Sequence, residues 1–105
     1  MTVTKAEIIA LLSDSTGLTR AEIEVLVNGF LYYIIESLQN GDRVEIRGFG
    51  SFFAKERGER LVKNPRTGKV VSVGHRFVPV FRPAKLFKES VNQELLKKHD
   101  GKENG

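Results

Sequence analysis

Six basic side chains and one proline, spaced along residues 47–68, are the part of this 105-residue chain equipped for chemistry. Arg47-Gly48-Phe49-Gly50-Ser51-Phe52 opens the span. Arg57 and Arg60 follow three residues apart, and Lys63-Asn64-Pro65-Arg66-Thr67-Gly68 closes it. Closely spaced glycines let a backbone turn sharply and approach another molecule, because no Cβ intervenes. Guanidinium and ammonium groups along an extended segment suit phosphate. A prolyl ring at the tip of a basic ribbon is an apolar wedge of a size to enter between stacked bases from the minor groove. The pattern points towards DNA.

The distribution of charge supports it more than the total. The net charge is only +4, with an isoelectric point near 9.6. Residues 1–54 carry four bases against seven acids. Residues 55–85 reverse this with Lys55, Arg57, Arg60, Lys63, Arg66, Lys69, Arg76, Arg82 and Lys85 against Glu56 and Glu59. Residues 86–105 hold four of each. One segment therefore concentrates the positive field, as a phosphate-binding surface requires.

Other chemistries lack their residues. With no cysteine there is neither a disulfide nor a thiolate metal site. His75 and His99 have no partners at ligand spacing, so no metal and no other cofactor is expected. No Ser-His-Asp set, carboxylate pair or phosphate loop stands in a supporting context, so no enzyme and no small-molecule substrate are expected. No apolar stretch approaches membrane-spanning length and no leader-type segment opens the chain, which predicts a cytoplasmic protein.

The elements that must position these residues are legible from spacing. Thr4-Lys5-Ala6-Glu7 has capping-box spacing, and Ile8, Leu11 and Leu12 share the helix face that follows. Ser13 to Leu18 reads as a break, with Gly17 suited to a helix C-terminus. A second box, Thr19-Arg20-Ala21-Glu22, starts a helix that runs to Gln39 and stops at Asn40-Gly41. Its stripe of Ile23, Leu26, Val27, Phe30, Ile34 and Leu38 is broadened by Val25, Leu31, Tyr32, Tyr33 and Ile35. A helix buried on two sides of a monomer would explain that breadth, but the remaining chain offers a charged ribbon that cannot cover it. An intertwined dimer is the favoured reading.

Val44, Ile46 and Phe49 alternate with charged residues in strand fashion, and Ser51-Phe52-Phe53-Ala54 continues the sheet. Residues 55–78 read as a long two-stranded ribbon turning at Asn64–Gly68, with a mobile tip. Pro83 suits the first turn of a closing helix whose inner face is Phe87, Val91 and Leu95. The domain is expected to span residues 1–96, and residues 97–105 form a flexible polar tail. The fold class is α+β: a helical dimer body, a short antiparallel sheet and one ribbon arm per subunit.

Gly48-Phe49-Gly50-Ser51-Phe52, Arg57, Arg60, Asn64-Pro65, Thr67-Gly68, Pro79, Phe81, Pro83, Lys85 and Asn92 fall in the order of the HU and integration host factor family. The chain resembles that family over roughly residues 3–93. The resemblance implies a dimeric, nucleoid-associated protein that bends double-stranded DNA with two arms in the minor groove, paired with itself or with a paralogous subunit. It implies that Pro65 intercalates, that Asn64, Arg66 and Gly68 shape the tip, and that Arg57, Arg60 and Lys63 hold sugars and phosphates. Backbone near Gly48 and Gly50, with Lys85, would meet phosphate on the body. Val44-Glu45-Ile46-Arg47 and Phe81-Arg82-Pro83-Ala84-Lys85 lean towards the integration host factor branch. Where the family usually has Thr-Gly-Arg between Arg60 and Asn64, this chain has Leu61-Val62-Lys63.

The candidate DNA-binding set is therefore Arg47, Gly48, Gly50, Lys55, Arg57, Arg60, Lys63, Asn64, Pro65, Arg66, Gly68, Lys69, Arg76, Arg82 and Lys85. Several have a plainer alternative. Asn64–Gly68 could be an ordinary loop, Arg57 and Arg60 could pair with Glu56 or Glu59, and Arg47 could pair with Glu45. Phe49, Phe52, Phe77, Phe81 and Phe87 could stack on bases, although core is the better reading. A protein-interaction or RNA-binding ribbon is the alternative function.

Overall fold

The computed structural model describes residues 1–104, with side chains through Gly101. Helix α1 spans Lys5–Thr16 and α2 spans Arg20–Gln39. Both start at the threonines that the spacing singles out. The Thr4 hydroxyl accepts from the Glu7 amide at 3.3 Å, and Thr19 accepts from the Glu22 amide at 3.1 Å. Each hydroxyl in turn donates to the carboxylate of that glutamate. Helix α1 runs through Ser13, past the expected break, because Gly17 closes it in a left-handed conformation (φ 78°) with its amide on the Ser13 carbonyl.

Five strands follow: β1 (Val44–Ile46), β2 (Gly50–Arg57), β3 (Arg60–Lys63), β4 (Val70–Val73) and β5 (Arg76–Pro83). They form two antiparallel sheets, a three-stranded one ordered β1-β2-β5 and a two-stranded one of β3 and β4. Phe49 lies in the turn between β1 and β2 rather than in a strand. The expected continuous ribbon is broken in the middle. Gly58-Glu59 on one strand and Gly74-His75 on the other interrupt pairing at the same level, between Arg57↔Arg76 and Arg60↔Val73. A glycine in each strand removes the side chain that would stiffen it there.

Pro83 does not open the last helix. It ends β5 opposite Gly50, and α3 begins at Lys85 and runs to Asn104. β5 is an edge strand, where a nitrogen without hydrogen need not cost a ladder bond. Helix α3 thus continues through residues expected to form a frayed tail. Leu95, Leu96, Lys97 and Lys98 are good helix formers, and Lys97 pairs with Glu94 one turn back at 3.4 Å.

The chain's own core is small. A cluster of four rings, Phe49, Phe52, Phe81 and Phe87, joins sheet to α3 with centroids 4.7–6.4 Å apart. Among the described residues, Ile9 and Ile23 are the buried hydrophobics. The second helix is not enclosed on two sides: Val25 is 72% exposed, and Leu26, Phe30, Tyr32, Tyr33 and Ile35 are exposed with it. The radius of gyration is 19.6 Å, where a compact domain of this length would have about 13 Å.

Candidate nucleic-acid interface

The glycine bend is shaped by two separate demands. Gly48 takes a left-handed conformation at φ 82°, which a side chain disfavours. Gly50 is buried, and a Cβ there would sit 2.6 Å from the Arg82 carbonyl oxygen and 2.6 Å from the Phe81 ring. The Phe49 amide closes the turn on the Ile46 carbonyl at 2.9 Å, and its carbonyl accepts from the Ala84 amide at 2.9 Å. Glu45, Arg47, Gly48, Gly50, Ser51 and Arg82, with Ile46, Pro83 and Ala84, line an open hollow of about 460 Å³, polar over about half its surface. Lys85 stands beside it, extended into solvent and 3.9 Å from Glu89.

Strand register sorts the rest of the root. On one face of β2 and β5, Phe52, Phe81, Ala54, Pro79, Glu56 and Phe77 follow one another. On the other face lie Ser51, Arg82, Phe53, Val80, Lys55, Val78, Arg57 and Arg76. Four of the nine cations in residues 55–85 thus share one surface. Phe53, which sequence reasoning passed over, anchors the body end of that surface: the guanidinium of Arg82 lies 5.4 Å from its ring and that of Arg43 lies 5.1 Å away. Alternation was the available signal, since Phe53 must point away from Phe52.

At the end of this face Arg57 stands directly opposite Arg76. Like charges so placed repel, and neither is in an ion pair among the described residues. One terminal nitrogen of Arg76, Nη1, is buried with no hydrogen-bond partner among the described residues. The nearby acids are committed elsewhere. Glu56 pairs with His75 at 2.6 Å across the break, and Glu59 accepts from the Ser72 hydroxyl at 2.7 Å. Glu45 pairs with Arg43 at 3.2 Å rather than with Arg47. The carboxylate alternatives for Arg57, Arg60 and Arg47 are therefore absent among the described residues, and their charges remain uncompensated.

Beyond the break, β3 and β4 carry Arg60 and Lys63 to the tip. The turn is built by Asn64: its side-chain oxygen accepts from the Arg66 amide at 2.8 Å, spanning Pro65. Its main chain closes the loop, with the amide on the Lys69 carbonyl and the carbonyl on the Gly68 amide, both at 2.8 Å. Gly68 takes the left-handed conformation (φ 76°) that this closure needs. Pro65 is left exposed at the apex, with Arg66 and Lys69 beside it. The loop reading and the wedge reading are thus compatible, because a firmly closed turn is what presents the ring.

The structure brings the site residues into three groups: Arg47, Gly48, Gly50 and Lys85 around the bend, Lys55, Arg57, Arg76 and Arg82 on the root face, and Lys63 to Lys69 at the tip. Arg60 lies between the last two. No group of three or more His, Asp or Glu side chains forms a metal-holding set among the described residues. No helix there is long and apolar enough to cross a membrane.

The profile of the family described as bacterial DNA-binding protein matches residues 3–92. The chain belongs to that family. Among its relatives, the integration host factor subunit beta of Marinobacter nauticus is 40% identical over 96 residues, which is 90% of this chain and 98% of the relative. The corresponding subunit of Haemophilus influenzae is 45% identical over 91 residues, covering 86% and 97%. The Anabaena HU–DNA cocrystal structure is similar to this fold with a TM-score of 0.79, at 32% identity, over 85% of this chain and 97% of that one. HU from Thermotoga maritima gives 0.60 at 27% identity, over 85% and 98%. Both HU structures therefore share the α+β architecture described above.

Proposed function

We propose that this family member is one subunit of a dimeric architectural protein that binds the minor groove of double-stranded DNA and bends it. The observation that carries the reading is the uncompensated Arg57–Arg76 pair at the root of a ribbon tipped by Pro65. Two guanidinium groups held opposite each other are unfavourable in the free protein and become favourable when a phosphate lies between them. The root face, the hollow at the glycine bend and the tip then act in sequence along one duplex. Lys55, Arg57, Arg76 and Arg82 neutralise phosphates beside the body, Arg60 and Lys63 follow the groove, and Pro65 enters a base step. Unstacking that step costs a few kcal/mol, offset by the surface that bent DNA lets the protein cover.

The second subunit, a copy of this chain or a paralogue, completes the body. Leu31, Ile34, Ile35 and Leu38 of α2 face Phe52, Ala54, Phe77 and Pro79 of the sheet across an apolar groove of about 570 Å³. Phe77 is 62% exposed there. So large an apolar lining, with two buried aliphatics among the described residues, is a surface made for another subunit. Bending carried by DNA deformability makes specificity depend on flexible steps more than on base contacts. The deciding experiment compares linear, nicked and pre-bent duplexes with the natural protein and with Pro65→Ala, reading affinity and end-to-end distance by fluorescence transfer. A preference for nicked or pre-bent DNA is expected, and Pro65→Ala should lose bending while keeping most affinity. Unchanged bending in that variant would remove Pro65 from the mechanism, and equal affinity for all three duplexes would favour simple coating.

A further inference from the structure

The outer hairpin carries a surface that the arm's charge does not explain. Leu61 is 73% exposed and Val70 61%, and Val62 and Val71 are exposed beside them. Register places Leu61 and Val70 on one face with Lys63 and Ser72, and Val62 and Val71 on the other with Arg60 and Val73. β3 and β4 pack chiefly on each other. Strand propensity accounts for the valines but not for their exposure, since threonine would serve the backbone equally well. Leucine at position 61 is not explained by propensity at all.

An occupant must satisfy both the apolar residues and the cations that bracket them, Arg60 on one side and Lys63, Arg66 and Lys69 on the other. A second arm laid on the first would bring like charges together. An apolar protein surface would have to bury them unpaired. A duplex minor groove satisfies both, with phosphates along its rims and the C–H faces of the sugars as its walls. We propose that Leu61, Val62, Val70 and Val71 pack against the deoxyribose walls of the minor groove, and that this packing makes the arm prefer DNA to RNA. The inference rests on the minor-groove reading above and extends it to sugar selectivity. In an RNA duplex the 2′-hydroxyls line that same groove. Leu61 and Val70 pressed against them would strip their water and return no hydrogen bond.

The test is Leu61→Thr with Val70→Thr, which keeps strand geometry and every charge. Affinity is measured for a DNA duplex and for an RNA duplex of the same sequence across a salt series. DNA affinity should fall about tenfold, from the apolar area no longer covered. The salt slope should not move, because no phosphate contact is removed. RNA affinity should hold or rise, because a threonine hydroxyl can pair with a 2′-hydroxyl, so the DNA preference shrinks by at least the same factor. The conservative pair Leu61→Met with Val70→Ile should keep the natural ratio. Unaltered DNA affinity, an equal loss on DNA and RNA, or a changed slope would each overturn the proposal. So would oligomers beyond the dimer that disappear with the threonine pair, since they would make a second arm the occupant. If the natural protein fails to bind DNA at all, the minor-groove reading itself falls. If it binds and the threonine pair changes nothing, only this inference falls.

Discussion

The α2 groove and the ribbon arm are both unfinished surfaces, and they are unfinished for opposite reasons. The groove joins Leu31, Ile34, Ile35 and Leu38 to Phe52, Phe77 and Pro79 and contains almost nothing polar. Its deficit is exposed apolar area, which water penalises wherever it lies and which any well-shaped apolar partner relieves. At the arm root the deficit is uncompensated charge, with Arg57 against Arg76 and the neighbouring carboxylates engaged by His75 and Ser72. Only an anion relieves that. On the proposed reading, the two faces of the same strands, β2 and β5, serve two different partners. Alternation along eight paired residues separates them: each residue facing the groove is followed by one facing the proposed DNA.

Salt should separate the two surfaces most strongly. If the dimer makes six to ten phosphate contacts, DNA affinity should fall by about 10³–10⁵ between 50 and 200 mM salt. Dimerisation, being apolar, should hold or tighten slightly over the same range. Sedimentation equilibrium and fluorescence anisotropy on the same samples measure both. Parallel weakening of dimer and DNA complex would break the comparison, because it would mean that charge also holds the body together.

A charge placed in the groove should do nearly as much damage by the other route. Ile35→Lys puts an ammonium among Leu31, Leu38 and Phe77, and burying it unpaired costs about 3 kcal/mol or more. Dimer affinity should drop by roughly a hundredfold or more, with lower helix content by circular dichroism because the chain alone has so little core. DNA binding should weaken with it, even though the substitution adds a positive charge. Stronger DNA binding by a stable monomer would show that the groove is not a subunit interface.

What could be read from the sequence was what local physics determines. Thr4 and Thr19 start helices because a hydroxyl three residues ahead of a free amide caps it in any context. Asn64 to Gly68 must turn because Pro65 and Gly68 restrict the backbone to few paths. The breadth of the apolar stripe on α2 by itself signals a missing partner. The break at Gly58 and Gly74 was not legible. Each glycine is unremarkable in its own strand, and only the register shows that they stand at the same level. Pro83 misled for a similar reason: a proline before a helix and a proline on an edge strand look alike until the strand order is known. The uncompensated Arg57–Arg76 pair was hidden too, since Glu56 and Glu59 are adjacent in sequence and only the fold commits them to His75 and Ser72.

That pair gives the smallest effect and the finest discrimination. In the body, removing a side chain should cost stability. Removing Arg76 should not, because what it contributes to the free protein is repulsion of Arg57 and a buried nitrogen without a partner. Arg76→Ala is therefore expected to leave thermal stability unchanged or to raise it by a few tenths of a kcal/mol. Its DNA affinity should fall by a few-fold and its salt slope by about one, the signature of a single lost phosphate contact. Added DNA should then raise the melting temperature of Arg76→Ala less than that of the natural protein. A destabilised Arg76→Ala with an unaltered salt slope would assign Arg76 to the fold instead. The cationic face would then end at Arg57, and the anion that relieves Arg57 would have to be held without a partner across the strand.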